Sequence, residues 1–337
     1  MSDTAGVPLI IADGDTPSAQ MAAGELRGAF GDVEMRPAQH LFGADVGGRP
    51  LLVVRLCHPE FAWLPAYLAA RGQRYAYLID DNFWDLDDEV DPRQSRHYAH
   101  PAVRATLASF LTQAKSVIVW SARMRDALLA RFPGLDVRFV RPGIDLGLWQ
   151  RAPAASPASP DGVVRIGYPT TRRPSVSALI AEVVGGIGAR YGERVRFEFV
   201  GWMPEALELS PNVSLTPHID GYERYAAYVS SRRWDIGLAP IAGSRFDSFK
   251  TDIKYREYGA MRTPAVYGAG PPYDDAIVDG VNGVLAAPRA DAWITALSSL
   301  IDDPGRRARI AAAASDDVTR TRGLATTGAR HAEALAT

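Results

Sequence analysis

Two patterns of apolar and polar residues take turns along this chain. Short, nearly unbroken apolar runs read as buried strands, and longer stretches with one apolar face read as helices. Val7 to Ala12 is the first run. Asp13-Gly14-Asp15-Thr16-Pro17 is a turn whose proline suits a helix start, and a helix is expected to follow as far as Phe30. Leu51 to Leu56 predicts a second strand, Phe61 to Ala70 a helix, and Tyr75 to Ile79 a third strand that ends in Asp80-Asp81. A polar, acidic loop is expected from there to about His100. Val103 to Gln113 predicts a helix, Ser116 to Trp120 a strand, Ala122 to Arg131 a helix, and Val137 to Val140 a strand.

Arg151 to Gly162, RAPAASPASPDG, has no periodicity and reads as a linker or surface loop. The alternation then restarts. Strands are expected at Val163 to Gly167, Val195 to Val200, Val213 to Thr216 and Asp235 to Ala239, with helices at Ser175 to Arg190 and Tyr222 to Ser231. Turns at Asp279-Gly280 and Asn282-Gly283 precede helices at Ala290 to Ile301 and Arg306 to Ala314, and a helical tail is expected from Thr321. Strands alternating with helices imply parallel sheets covered on both faces. The fold class is therefore α/β, with two Rossmann-like α/β/α domains facing each other across a cleft. Their bounds are 1–147 and 148–320, with 321–337 as the tail. Ligands of open α/β sheets sit beyond the carboxyl ends of the strands, so both sheets can present loops to one cleft.

Composition narrows the partners. The 337 residues suffice for two cores, and 47% hydrophobic with 23% charged residues is the balance of a globular protein. A net charge of −2 argues against a broad nucleic-acid or polybasic membrane surface. With Cys57 as its single cysteine the chain forms no internal disulfide and no cysteine-based zinc cluster. Residues 1–15 lack a basic segment followed by a long apolar core, so no signal peptide is expected. No uncharged apolar run approaches the roughly 20 residues that span a bilayer. A cytoplasmic protein is expected, with peripheral contact at the inner membrane face left open.

The stretch Asp247 to Gly268, DSFKTDIKYREYGAMRTPAVYG, organises the second half. It reads as a loop, a short helix and a strand. Thr251 is expected to cap the helix, with Asp252 in its first turn and Ile253, Tyr258 and Met261 as an apolar stripe. Pro264 ends it, and Ala265-Val266-Tyr267 is a strand. If the helix starts near Lys250, that lysine and Glu257 lie two turns apart on one face, about 10 Å. A helix N-terminus with a lysine suits a phosphate, and a carboxylate further along accepts hydrogen bonds from vicinal hydroxyls, as on a ribose.

Trp234 to Tyr267, WDIGLAPIAGSRFDSFKTDIKYREYGAMRTPAVY, resembles the donor-binding segment of GT-B-fold glycosyltransferases, especially the retaining family 4 group. Glu257 matches the family's ribose-holding glutamate, and Phe249 stands where the family has a second glutamate, eight positions earlier. Arg141-Pro142-Gly143-Ile144-Asp145 resembles the segment that closes the family's first domain. The resemblance implies transfer of a sugar from a nucleotide-sugar to a hydroxyl acceptor, a glycan or lipid-linked molecule of envelope polysaccharide synthesis. It also implies retention at the anomeric carbon, no obligatory metal and no cofactor, since the nucleotide-sugar is a substrate.

Further candidates follow from strand ends. Tyr168-Pro169-Thr170-Thr171-Arg172-Arg173 joins a strand to a helix, and arginine forks match phosphate oxygens. Arg172 or Arg173 would meet the donor diphosphate. The donor side then comprises Gly14, Thr171, Arg172, Arg173, Lys250, Lys254 and Glu257. Asp80-Asp81 can act as base or orienting group for the acceptor, so Asp80, Asp81 and Lys250 form the catalytic set. His58, His218 and Gly201-Trp202 rank lower. No dinucleotide-binding, P-loop or nucleophile-elbow motif is present. Three rivals stay open: a metal-dependent GT-A enzyme using the Asp85-Leu86-Asp87 string, a non-catalytic nucleotide-sugar-binding module, and an epimerase of the same two-domain shape.

Overall fold

A computed structural model describes residues 6–41, 46–86, 91–150 and 162–336. The proline-rich stretch up to Asp161, and Asp87, fall outside them. In the first half the order is β1 (Leu9–Ala12), α1 (Pro17–Phe30), β2 (Glu34–Pro37), β3 (Leu51–Val54), α2 (Leu64–Ala70) and β4 (Ala76–Ile79). It continues with α3 (Pro92–Ala99), α4 (Pro101–Gln113), β5 (Ser116–Val119), α5 (Ala122–Arg131), β6 (Val137–Phe139) and α6 (Leu146–Trp149). The second half runs β7 (Val164–Pro169), α7 (Ser177–Tyr191), β8 (Val195–Gly201), β9 (Val213–Pro217), α8 (Tyr222–Ser231) and β10 (Ile236–Ala239). It ends with α9 (Ile253–Ala260), β11 (Ala265–Gly268), β12 (Val284–Ala286), α10 (Ala290–Ile301), α11 (Pro304–Arg322) and α12 (Leu324–Ala336).

The strands form two parallel six-stranded sheets, ordered β2-β1-β3-β4-β5-β6 and β12-β11-β10-β7-β8-β9. Strands β1, β3, β4 and β5 are wholly buried, which is why they read as apolar runs without alternation. In each sheet the winding direction reverses once, between β1 and β3 and between β10 and β7. A crevice opens at such a reversal, beyond the strand ends. Those crevices are bounded by the turns after β1 and β3 in one sheet and after β7 and β10 in the other. Gly167 in β7 has a packing reason, since a Cβ there would stand 1.8 Å from the Trp234 ring.

Several expectations need correction. The loop expected up to His100 contains α3, capped by Asp91, whose side chain accepts from the N–H groups of Arg93 and Gln94. Two edge strands were not read: β2, EMRP, mixes charged and apolar residues, and β12, VLA, is apolar but only 3 residues long. The α11 helix runs on to Arg322 instead of stopping near Ala314. After it, α12 returns to the first half and packs along α1. Gly328 lets the two backbones touch, because a Cβ there would meet the Glu25 carbonyl oxygen at 2.6 Å. The tail is tied down further by Lys115 Nζ, which donates to the Ala336 carbonyl at 2.9 Å.

Candidate active site between the two sheets

The central helix starts later than its sequence suggests. Thr251 does not cap it; its hydroxyl accepts from Arg256 Nη2 at 3.3 Å. Asp252 sits at the cap position without making a capping bond, because its carboxylate serves Arg256 Nε at 3.0 Å and Arg322 Nη2 at 2.9 Å. Two guanidiniums outcompete a backbone amide for these acceptors. Lys250 therefore lies in an extended link before α9, and its two-turn spacing from Glu257 does not apply. Nor is α9 amphipathic: Tyr255 to Ala260 are all buried, Arg256 and Glu257 included, while Ile253 and Met261 are half-buried.

Lys250 reaches across to the other sheet. Its Nζ donates to Asp81 Oδ1 at 2.7 Å, just past the end of β4, and lies 4.3 Å from the centre of the Phe246 ring. Asp80 next to it accepts from Ser18 Oγ at 2.6 Å and from Arg55 Nη1 at 3.3 Å. Arg55 Nη2 is 3.9 Å from Asp81 Oδ2. Burial raises the Asp81 carboxyl's pKa, but Lys250 first and Arg55 second outweigh it, and the net direction is down. Burial works against the Arg55 charge, yet Asp80 and Asp81 hold its pKa above the ordinary arginine value. One atom stays unsatisfied: Asp80 Oδ1 is buried with Arg55 Nε at 3.3 Å but has no hydrogen-bond partner among the described residues.

Sequence reasoning missed Ser18, Arg55 and Tyr98. Arg55 follows β3 directly and adopts φ 55°, a left-handed conformation that costs a non-glycine residue about 1–2 kcal/mol. Its N–H donates to the Leu78 carbonyl at 3.0 Å. Tyr98, from the unforeseen α3, stacks on Phe83 with ring centres 3.9 Å apart and faces the Arg55 guanidinium. A charged residue closing the apolar run of β3 was the available signal for Arg55.

On the second sheet, the two arginines after β7 separate. Arg173 points inward, with Nη1 3.5 Å from Asp247 Oδ1, whereas Arg172 is exposed and pairs with Glu205 at 3.4 Å. Asp247 is 2% exposed and also accepts from the Ala242 N–H at 3.0 Å. Thr171 is exposed, and Gly14 takes φ 78° in the turn after β1. Glu257 is buried with its Oε2 bound by Lys254 Nζ at 2.7 Å and Tyr225 Oη at 3.2 Å. Phe249 packs into the hydrophobic core of the first half. Asp85 is held by Asn82 Nδ2 at 2.6 Å and Arg245 Nε at 3.2 Å. His58 pairs with Glu60 and His218 with Asp220, both at the surface. Trp202 follows β8 half-exposed.

The structure thus brings Asp80, Asp81 and Lys250 together, with the charge of Arg173 near enough to favour the ionised form of Asp81. It places Lys254 and Glu257 in a neighbouring buried cluster and leaves Thr171 and Arg172 outside both. No family model matches the chain, and no curated protein matches it in sequence. Solved structures do match. Sucrose-phosphate synthase from Thermosynechococcus elongatus superposes with a TM-score of 0.69 at 15% identity, over 97% of this chain and 98% of that one. HepE from Anabaena, solved in complex with UDP and glucose, gives a TM-score of 0.69 at 14% identity, over 98% and 99%. A glycosyltransferase from Rickettsia africae gives 0.62 at 11%, over 98% and 97%. The chain has the GT-B fold: two parallel six-stranded sheets with helices, facing each other. The reading of Asp85-Leu86-Asp87 as a GT-A metal string falls with that architecture.

Proposed function

We propose that this protein is a glycosyltransferase that moves a sugar from a nucleotide-sugar to a hydroxyl acceptor. The observation that carries the reading is the 2.7 Å contact of Lys250 with Asp81 across the cleft, with Arg173 behind it. A nucleotide diphosphate leaving group needs cations, and an acceptor hydroxyl needs a carboxylate. Residues of both kinds meet at the strand ends of opposing sheets. The likeness in fold to HepE with bound UDP and glucose supports the donor class.

The division of labour follows. Residues 148–320 hold the donor, 1–147 the acceptor, and 321–337 close back on the first part. Lys250 and Arg173 offset the charge that develops on the β-phosphate oxygen as its bond to the anomeric carbon breaks. Asp80 or Asp81 orients the acceptor hydroxyl and takes its proton as the new bond forms. In the absence of donor, Lys250 and Asp81 neutralise one another. An arriving diphosphate competes for the lysine and frees the carboxylate for the acceptor. Glu257 meets the ribose hydroxyls through Oε1, since Lys254 and Tyr225 both occupy Oε2. Retention, independence from metals, a glycan or lipid-linked acceptor in envelope polysaccharide synthesis, and a cytoplasmic site belong to the same proposal. Among the described residues no helix is long and apolar enough to cross a membrane.

Titration calorimetry with UDP-, GDP- and dTDP-sugars tests the donor assignment, followed by transfer of a radiolabelled sugar. One nucleotide class is expected to bind, and Glu257→Ala to weaken it about tenfold while the fold persists. Equal affinity of variant and wild type for that donor would remove Glu257 from the site. Labelled donor that yields only free epimerised nucleotide-sugar would replace transfer with epimerisation.

A further inference from the structure

Arg141, in the segment that closes the first half, has no part in the reaction proposed above. It is exposed and makes no hydrogen bond or ion pair among the described residues. It borders a cavity of about 80 Å³ between the two halves, lined also by Ser121, Arg123, Lys250, Asp252 and Arg322. The cavity lies where the chain crosses over, beside the parallel bridge that pairs Ile144 with Gly323. Its volume is a few waters' worth at about 30 Å³ each, enough for one small oxyanion.

Arg322 supplies the independent sign of a ligand. It is 3% exposed, yet its Nε and Nη1 have no hydrogen-bond partner among the described residues. Only Nη2 is used, on Asp252. Burial lowers the pKa of this guanidinium, and Arg141 and Arg256 repel its charge while Asp252 opposes them. Helix α5 also begins at the cavity, and its N-cap residue Ser121 makes no side-chain capping bond. The carboxylates nearby are already engaged: Asp252 is shared by Arg256 and Arg322, and Asp275 pairs with Arg123 at 2.7 Å. Arg141 and two nitrogens of Arg322 are therefore donors with no acceptor among the described residues, and α5 starts beside them without a side-chain cap.

We propose that this cavity binds a phosphate group, free or as a monoester, at a site that adjoins the donor diphosphate across Lys250 and does not use Arg173. Guanidinium forks and helix-start amides fit a tetrahedral oxyanion. Arg141 and Ser121 follow strands of the first sheet, whereas Arg322 and Asp252 flank helices packed on the second. A phosphate held by both sets would tie the two halves together at the crossover.

The test is calorimetric titration with inorganic phosphate and with glycerol 3-phosphate at constant ionic strength. Wild type is compared with Arg141→Gln and Arg173→Gln. At least one ligand is expected to bind wild type at millimolar concentration or below. Arg141→Gln should weaken it about tenfold or more, with an unchanged melting temperature in phosphate-free buffer. Arg173→Gln should leave it intact. Tighter binding of the monoester identifies an esterified ligand, and tighter binding of inorganic phosphate a free one. The proposal is overturned if neither binds wild type, or if Arg141→Gln binds as wild type does. It is also overturned if Arg173→Gln is the variant that loses binding, which would put the anion in the donor cleft.

Discussion

Two polar clusters join parts of this chain that lie far apart in sequence, and they are built on opposite terms. In the seam between α1 and α12, Glu25 is 1% exposed and bonded on both oxygens, to the Gly143 N–H and to Thr327 Oγ1. His331 completes it, with one ring nitrogen facing the Thr327 carbonyl and the other accepting from Trp120 Nε1. In the cleft, Asp80, Asp81, Arg55 and Lys250 are only partly buried, one carboxylate oxygen is orphaned, and Arg55 sits in a strained conformation. A buried polar network that is fully bonded holds a fold together, whereas an incompletely bonded one stores strain and unmet valence for a ligand. The seam reads as structure and the cleft as chemistry. That contrast can be tested by striking each cluster and asking whether stability or turnover responds.

The largest expected effect is on turnover. Lys250→Ala removes the cation nearest the proposed leaving group and should lower kcat/KM by about 10²–10³-fold. The Lys250–Asp81 pair is partly exposed, so the melting temperature should barely move. Global unfolding of Lys250→Ala at room temperature would erase the contrast, because the cleft would then be structural as well.

Striking the seam should do the reverse. Glu25→Gln turns one acceptor into an amide donor facing the Gly143 N–H or the Thr327 hydroxyl, and should cost about 2–3 kcal/mol of stability. Urea unfolding measures it. Near the working temperature, kcat of the folded fraction should stay within about twofold, since one doubling is worth roughly 0.4 kcal/mol. Arg173→Gln against Arg172→Gln sharpens the cleft side at smaller scale. The inward arginine should weaken donor binding about tenfold, and the outward one, paired with exposed Glu205, should change it little.

Much of the first sheet was legible because each of its inner strands is an almost wholly apolar word: LIIA, LLVV, AYLI, SVIV. Burial on both faces writes that pattern directly. The edge strand EMRP is half-buried throughout and carries no such mark. The α3 helix, PRQSRHYA, buries none of its residues, so periodicity had nothing to report, and its one signal, the cap and first-turn proline of Asp91-Pro92, went unread. The site was half legible for a related reason. Asp80, Asp81 and Lys250 stand beside recognisable strands and loops. Ser18 and Tyr98 gain their meaning from side chains 62 and 43 positions distant, Asp80 and Arg55 respectively, and no local pattern encodes that. The helix start was misplaced because Thr251 and Asp252 look like caps and are claimed instead by Arg256 and Arg322.

The smallest expected effect separates the clusters by pH. Burial depresses the His331 pKa below 6.5, against the pull of Glu25 on α1 and with the help of Arg256 on α9. Trp120 Nε1 donates to His331 Nε2 at 3.1 Å, so a second ring proton would set two donors face to face. The unfolded chain takes up this proton near pH 6.5 and the folded chain resists it. The unfolded state therefore binds more protons below 6.5. Seam stability is full above that pH and declines as pH falls towards the lower folded value. Asp81 behaves alike but lower, its depressed carboxyl costing stability only below its ordinary value of 3.8. Between pH 7.5 and 5.5, urea unfolding should show wild type losing on the order of 1 kcal/mol more than His331→Gln, which cannot titrate. Parallel losses in the two proteins would mean that His331 titrates alike in the folded and unfolded chain, and a smaller loss in wild type would mean that it carries its proton inside the fold, the seam then being charged like the cleft.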